Sequence, residues 1–290
     1  MKKVLRWLAV LAPIALGTVV TFVCSFIGIF ACTFALGFQL GLSGDVTAAD
    51  PMQMGIAAMN LYLENTMLIT FLSQILNLII FVIWYRLMGY KKFVNPCKVM
   101  KWKNVGVIAL VAVGMQLLTN IALSIVAVFA PETINQYSEL MEMAGLGELT
   151  VVTVLATVIM APLVEELMFR GVTMKLLEKA GAKFWLANII QAVLFGVYHM
   201  NLVQGVYAAV LGLVLGYLGH RYKTLWAPML MHLVFNGSSL VISAFAEYLP
   251  ENIITYIGFV VVGVICMVGA FLIARTEKQA QAGEMAPEVA

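Results

Sequence analysis

Six residues in the second half of this 290-residue chain combine side-chain type and spacing in a way that could do chemistry. Glu165, Glu166 and Arg170 lie in APLVEELMFRG, His199 lies in FGVYHMN, and His232 and Asn236 lie in MLMHLVFNG. A carboxylate and an imidazole together can take a proton from water and aim the hydroxide at a carbonyl carbon. A further imidazole and a carboxamide can donate hydrogen bonds to the oxyanion that forms. The same set could hold a metal. Glu165, His199 and His232 would be three ligands with a fourth position open, an arrangement that suits zinc. The residues leave both chemistries open, with zinc or with no cofactor.

Helix geometry sorts these groups. Glu166 and Arg170 stand at i and i+4 with the acid first, the favourable order for an ion pair, so they neutralise one another. Glu165 projects about 100° away from Glu166 and outside that pair, which suits it to act as a general base. His232 and Asn236 share one helix face, and so do Phe195 and His199. Any one of these residues alone could be glue between helices, worth ~1–2 kcal/mol at most. That structural reading is preferred for Glu166 and Arg170. For Glu165, His199, His232 and Asn236 together function is preferred, because an ionisable group inside a span costs at least ~2.5–3.5 kcal/mol. His220, in GHRYKTLW, is expected at a membrane boundary.

The elements that must position these residues are membrane helices. The chain is 62% hydrophobic and 11% charged, against roughly 25% charged in a soluble domain. It cannot bury so much apolar surface and keep a polar skin, so lipid must solvate much of it. A net charge of +2, from cations in short loops beside apolar runs, gives no sign of nucleic-acid binding. Apolar runs of about the ~20 residues a span needs cover 8–40, 67–89, 104–130, 149–169, 184–200, 203–219, 225–246 and 252–274. The expected fold is an all-α polytopic bundle of about eight transmembrane helices. The first run exceeds one perpendicular span, and Pro13 and Gly17 predict a kinked or tilted start. Its apolar length also far exceeds that of a signal peptide.

Alternating these spans from a cytoplasmic start puts all 17 Lys and Arg residues on one side, the cytoplasmic one, with both termini. The other side carries acids, among them Asp45, Asp50, Glu64, Glu132, Glu139, Glu142, Glu148, Glu247 and Glu251. The outer loops 41–66 and 131–148 are long enough for interfacial helices. No repeat or linker divides the chain. One membrane domain is expected over 1–276, its motif-bearing core at about 149–246, with a polar, disordered tail over 277–290. The cysteines Cys24, Cys32, Cys97 and Cys266 are far apart, and three lie in apolar runs, where Cys behaves as a small hydrophobe. With Trp226 and Trp185 at the inner boundary, His232 would lie ~9 Å deep, Asn236 ~15 Å and His199 ~21 Å. A fourth helix running past Arg170 towards Lys179 would set Glu165 near mid-membrane.

Other proteolytic chemistries find no support. HExxH is absent. The aspartates, Asp45 and Asp50, both sit in an outer loop, whereas aspartyl chemistry needs two inside the membrane. GLSG at 41–44 looks like a rhomboid nucleophile motif but does not open a helix in mid-membrane, and the GSS at 237–239 lacks an elbow context.

The three motifs, Glu165-Glu166-Leu-Met-Phe-Arg170, Phe195-Gly-Val-Tyr-His199 and His232-Leu-Val-Phe-Asn236, resemble the CPBP family. These are the CAAX proteases and bacteriocin-processing intramembrane proteases, including the Rce1-type prenyl-protein proteases. The family pattern EExxxR, FxxxH, HxxxN is met in order over 165–236, on separate spans. The first 150 residues resemble the family only in being membrane helices. The resemblance implies an intramembrane endopeptidase of the glutamate or metalloprotease type, acting on CAAX-like, lipidated or precursor peptides at the membrane. Glu165 and His199 would activate water, His232 and Asn236 would stabilise the oxyanion, and Glu166, Arg170 and Phe195 would support the site. The implied partners are membrane lipid and a peptide or protein substrate; the location is the cell membrane if the source is prokaryotic. An alternative reading is a non-catalytic adaptor or bacteriocin-immunity protein on the same fold. A proton-coupled transporter would use Glu165 and the histidines as a relay, but no inverted repeat or broken-helix pair supports it.

Overall fold

The computed structural model describes residues 2–43, 50–89, 99, 101–146, 149–245, 248–250 and 252–284. Cys97 and the loop charges Asp45, Lys91, Lys92, Lys98, Glu148, Glu247 and Glu251 lie outside the described residues. The protein is an all-α, multi-pass membrane protein. Every regular element among the described residues is a helix, and seven of these are long and apolar enough to cross a bilayer. The run at 184–200 differs from the other expected spans. It forms a helix of 15 residues, Phe184–Tyr198, about 22 Å long at ~1.5 Å per residue and therefore short of the ~30 Å hydrocarbon core. The described residues fall into two compact units. One comprises Met1–Gly89 with Asn135–Ala187, the other Tyr90–Ile134 with Asn188–Ala290.

The first unit begins with α1 (Lys2–Leu8), a 3-10 turn (Ala9–Leu11) and α2 (Ala12–Ser43). Pro13 has no N–H to return to the carbonyl of Ala9, so the regular ladder fails there and the turn tightens. This is the irregular start that Pro13 predicts. α3 (Pro51–Glu64) opens with Pro at its first position and with the Asp50 carboxylate accepting a bond from Met52 N at 3.1 Å, a standard N-terminal cap. α4 (Thr66–Leu87) packs on α2 and along the helical run Val151–Lys179, labelled α7. α2 can approach closely because of Gly17: a Cβ there would lie 3.0 Å from Met168 Sδ of α7 and 3.5 Å from Phe81 of α4. On α2, Phe22, Phe26, Phe30, Phe34 and Phe38 are all exposed. In water such a row would be a large apolar patch; beside lipid tails it is an ordinary surface.

The second unit holds α5 (Trp102–Phe129), α9 (Leu202–Tyr222), α10 (Trp226–Ala244) and α11 (Ile253–Glu284). Two of the three unit boundaries fall inside α6 (Pro131–Met143) and inside α8 (Phe184–Tyr198). α5 packs against α10 and α11. At Gly114 a Cβ would stand 3.1 Å from Gly263 O, so two small residues let the backbones of α5 and α11 come together. α11 continues into the polar C-terminal stretch as far as Glu284; residues 285–290 lie outside the described residues. Cys24, Cys32 and Cys266 are thiols, and Cys32 and Cys266 are buried.

Candidate active site

The first group of predicted residues lies on α7. Thr150 caps the helix, its hydroxyl accepting from Thr153 N at 3.0 Å. The path is not uniformly α-helical. Val154–Met160 and Leu167–Thr173 are π-helical and flank a short α segment, Ala161–Glu166, that carries both acids. The wider pitch shows in the backbone bonds Ala161 N to Ala156 O and Met174 N to Phe169 O, each spanning five residues. Pro162 sits just past the first π segment. It cannot donate to Val158 O, and its ring would crowd that carbonyl, so the turn opens there. Glu165 falls at the midpoint of the 29-residue run Val151–Lys179. The helix does extend to Lys179, the length that a mid-membrane Glu165 requires.

Around the acids the interior is closed. Glu165 is 7% exposed, Glu166 0% and Arg170 2%. Arg170 Nη1 donates to Glu166 Oε1 at 2.8 Å. The Arg170 guanidinium carbon lies 5.9 Å from the Phe169 ring centroid. The pair therefore satisfies the i, i+4 expectation even though Arg170 already belongs to the π segment. Its charges cancel locally, as two charges removed from water must.

The second group lies on α8 and α10. Phe195 is fully buried and is flanked by both imidazoles. Its ring centroid is 5.0 Å from that of His199 at an interplanar angle of 61°, and 5.8 Å from that of His232 at 84°. Both are edge-to-face contacts, the preferred geometry for rings with opposed quadrupoles. Phe195 therefore sets where the two imidazoles stand relative to each other. His232 is buried, and Asn236, one turn further along α10, is half-buried. His199 stands just past the last residue of α8, in a turn closed by His199 N to Gly196 O at 3.3 Å and Met200 N to Val197 O at 3.0 Å. Met200 adopts φ 51°, and Asn201 then caps α9 by accepting from Gln204 N at 2.9 Å. The hydropathy run predicts a helix through residue 200. The structure instead ends it at Tyr198, because the left-handed Met200 and the Asn201 cap reverse the chain.

Two residues that the sequence reading passed over hold α8 in place. Asn188 and Gln191 are fully buried. Gln191 Nε2 lies 2.9 Å from Gly212 O and 2.9 Å from Asn188 Oδ1, and Asn188 Nδ2 donates to Leu213 O at 3.0 Å. These amides fasten α8 to α9, about two and three turns before His199. Near the end of α8 the helices almost touch: a Cβ on Gly205 would lie 2.9 Å from Gly196 O, and one on Gly196 would overlap Gly205 O. The signal that could have found the amides is the one that found His199, a polar residue inside an apolar run.

Glu165, Glu166 and Arg170 thus belong to one unit and Phe195, His199, His232 and Asn236 to the other. Within either unit, among the described residues, no three His, Cys, Asp or Glu side chains group closely enough to hold a metal. A zinc site of Glu165, His199 and His232 would draw on both.

Residues 147–238, which include every one of these positions, match the model of the family described as type II CAAX prenyl endopeptidase Rce1-like. Over 84 residues, 29% of this chain, the sequence is 31% identical to the protein named "Putative membrane peptidase YdiL" of Bacillus subtilis (strain 168). The chain covers 34% of that relative's length. No solved structure matches.

Proposed function

Starting from the match of residues 147–238 to the Rce1-like family model, we propose that this membrane protein is an intramembrane endopeptidase. Its substrates are peptides or proteins at the membrane that carry a CAAX-like, lipidated or precursor segment. In the proposed mechanism Glu165, with His199, takes a proton from a water molecule. The water oxygen forms a bond to the peptide carbonyl carbon. The carbonyl oxygen becomes an oxyanion that accepts hydrogen bonds from His232 and the Asn236 amide. The C–N bond then breaks, the proton passes to the leaving nitrogen, and a carboxylic acid and an amine result. No acyl-enzyme forms. Glu166 and Arg170 offset each other's charge beside Glu165, which is the carboxylate assigned to accept the proton.

The observation that carries this reading is the Phe195 assembly, in which one buried ring spaces two imidazoles on two helices, at 5.0 and 5.8 Å. Packing alone calls for apolar partners there, whereas acid–base work calls for imidazoles held in fixed orientation. Glu165, His199 and His232 are also the residue types that would hold zinc, and a bound zinc would supply Lewis-acid polarisation of the water and carbonyl. The cytoplasmic placement of both termini, the single membrane domain and a cell-membrane location belong to the same proposal.

The test is cleavage-site mass spectrometry on membranes carrying wild-type or Glu165→Gln protein, with and without chelator. New peptide ends should appear with the wild type and vanish with Glu165→Gln at equal protein levels. Identical peptide ends from both proteins would end the reading and favour the adaptor or immunity role. Loss of activity on chelation would assign the metal form.

A further inference from the structure

A second site lies at the end of α7 remote from Glu165. α1 packs against the last turn of α7 there, and between them is a cavity of about 350 Å³ lined by Arg6, Ala9, Leu176 and Lys179. That volume is within the range of small-molecule sites. Among the described residues its lining has two cations from two separate helices, two apolar side chains and no acid. Glu178, the nearest acid in sequence, is engaged by Lys175 at 2.8 Å.

A simpler role for Arg6 would be to cap the C-terminal carbonyls of α7. Three of those carbonyls are already used. Leu176 O accepts from Ala180 N at 2.8 Å, Glu178 O from Gly181 N at 3.0 Å and Leu177 O from Ala182 N at 3.0 Å, the last closing the helix through Gly181 at φ 96°. Both cations lie at the ends of apolar helices, where the hydrocarbon gives way to headgroups. Leu5 and Leu8, beside Arg6 on α1, are exposed and suited to lipid tails.

We propose that this cavity binds the phosphate of an anionic phospholipid, held by Arg6 and Lys179 over a floor of Ala9 and Leu176, with the acyl chains along the apolar face of α1. Charge and position select this occupant. Two cations contributed by two helices match a phosphodiester, and the apolar border matches the glycerol and chain ends. A zwitterionic lipid brings its own cation, which these side chains repel. Docking of α1 onto α7 completes the cradle, so the bound lipid tethers the first helix to the helix that carries Glu165.

The experiment titrates the purified full chain, in a neutral detergent, with dioctanoyl phosphatidylglycerol, dioctanoyl phosphatidylcholine or inorganic phosphate, and follows the thermal unfolding midpoint. Phosphatidylglycerol should raise the midpoint saturably and the other two should not. At ~1 kcal/mol per cation near a charged headgroup, Arg6→Gln and Lys179→Gln should each weaken the titration about fivefold, and together about 25-fold. Arg6→Lys should stay within about twofold of wild type, as should Lys223→Gln, which removes a cation at another helix end. Unchanged titrations in the Gln variants would overturn the proposal, and so would Arg6→Lys failing as badly as Arg6→Gln. Phosphatidylcholine titrating like phosphatidylglycerol would make the site a generic lipid groove. Phosphate alone matching phosphatidylglycerol would make it a free-anion site. Either result rejects the lipid assignment, and none depends on whether the protein cleaves peptides.

Discussion

Replacing Arg170 by Met should destabilise the protein strongly, and replacing Glu166 by Gln in the same chain should restore most of the loss. The two side chains are 1% and 0% exposed and meet at 2.8 Å. Removing the guanidinium alone leaves a carboxylate in the interior without its arginine, a change that costs about 3–5 kcal/mol. At ~1.4 kcal/mol per factor of ten, the folding equilibrium moves by about two to three and a half orders of magnitude. Removing both charges together removes both desolvation penalties, and such double replacements are often near neutral. The assay is reversible unfolding in mixed micelles, followed by tryptophan fluorescence, for wild type, Arg170→Met, Glu166→Gln and the double variant. A double variant as unstable as Arg170→Met would refute the reasoning, because the loss would then come from packing of the long arginine stem. A single variant within about 1 kcal/mol of wild type would do so too.

Further outcomes follow from the second unit and from the cation distribution. His232→Ala should lower kcat for peptide cleavage by about 10²–10³, the usual effect of removing an oxyanion donor, with KM little changed; progress curves on a cleavable peptide check this. Gly196→Ala should loosen the α8–α9 turn, because its Cβ overlaps Gly205 O, and should destabilise by about 1–3 kcal/mol, read as a lower unfolding midpoint. Single cysteines placed at Lys179 and at Glu139 in a cysteine-free background should label from opposite faces of sealed vesicles. Labelling from the same face would overturn the one-sided cation topology.

Much of the site was legible because helical spacing is local. Glu166 and Arg170, Phe195 and His199, and His232 and Asn236 are each four residues apart, and a spacing of four places two side chains on one face whatever the rest of the fold does. The ion pair and the Phe195–His199 contact are both present in the structure. The contact of Phe195 with His232 joins two helices and has no sequence signature. Hydropathy averages over a window, so its run extends to Met200, two residues past the end of α8, and carries no sign of how the backbone of Met200 and the cap of Asn201 turn the chain. It also averages Asn188 and Gln191 away within the run 184–200, although their hydrogen bonds fix the pairing of α8 with α9. The π segments of α7 were invisible for a related reason. Residue counting assumes one pitch, and Pro162 signals only that the ladder is interrupted, not that it widens.

Those wider turns govern how α7 responds to changes in chain length. A π turn is an α turn carrying one surplus residue. Deleting one residue within Val154–Met160 can therefore be absorbed as a return to the ordinary pitch, leaving the acids facing where they do now. The same deletion within Ala161–Glu166 has no surplus of its own to draw on and would turn the acids after it by about 100° relative to the helix before them. Length variation in this helix should thus be tolerated on the upstream side of the acidic pair and forbidden within the segment that carries it.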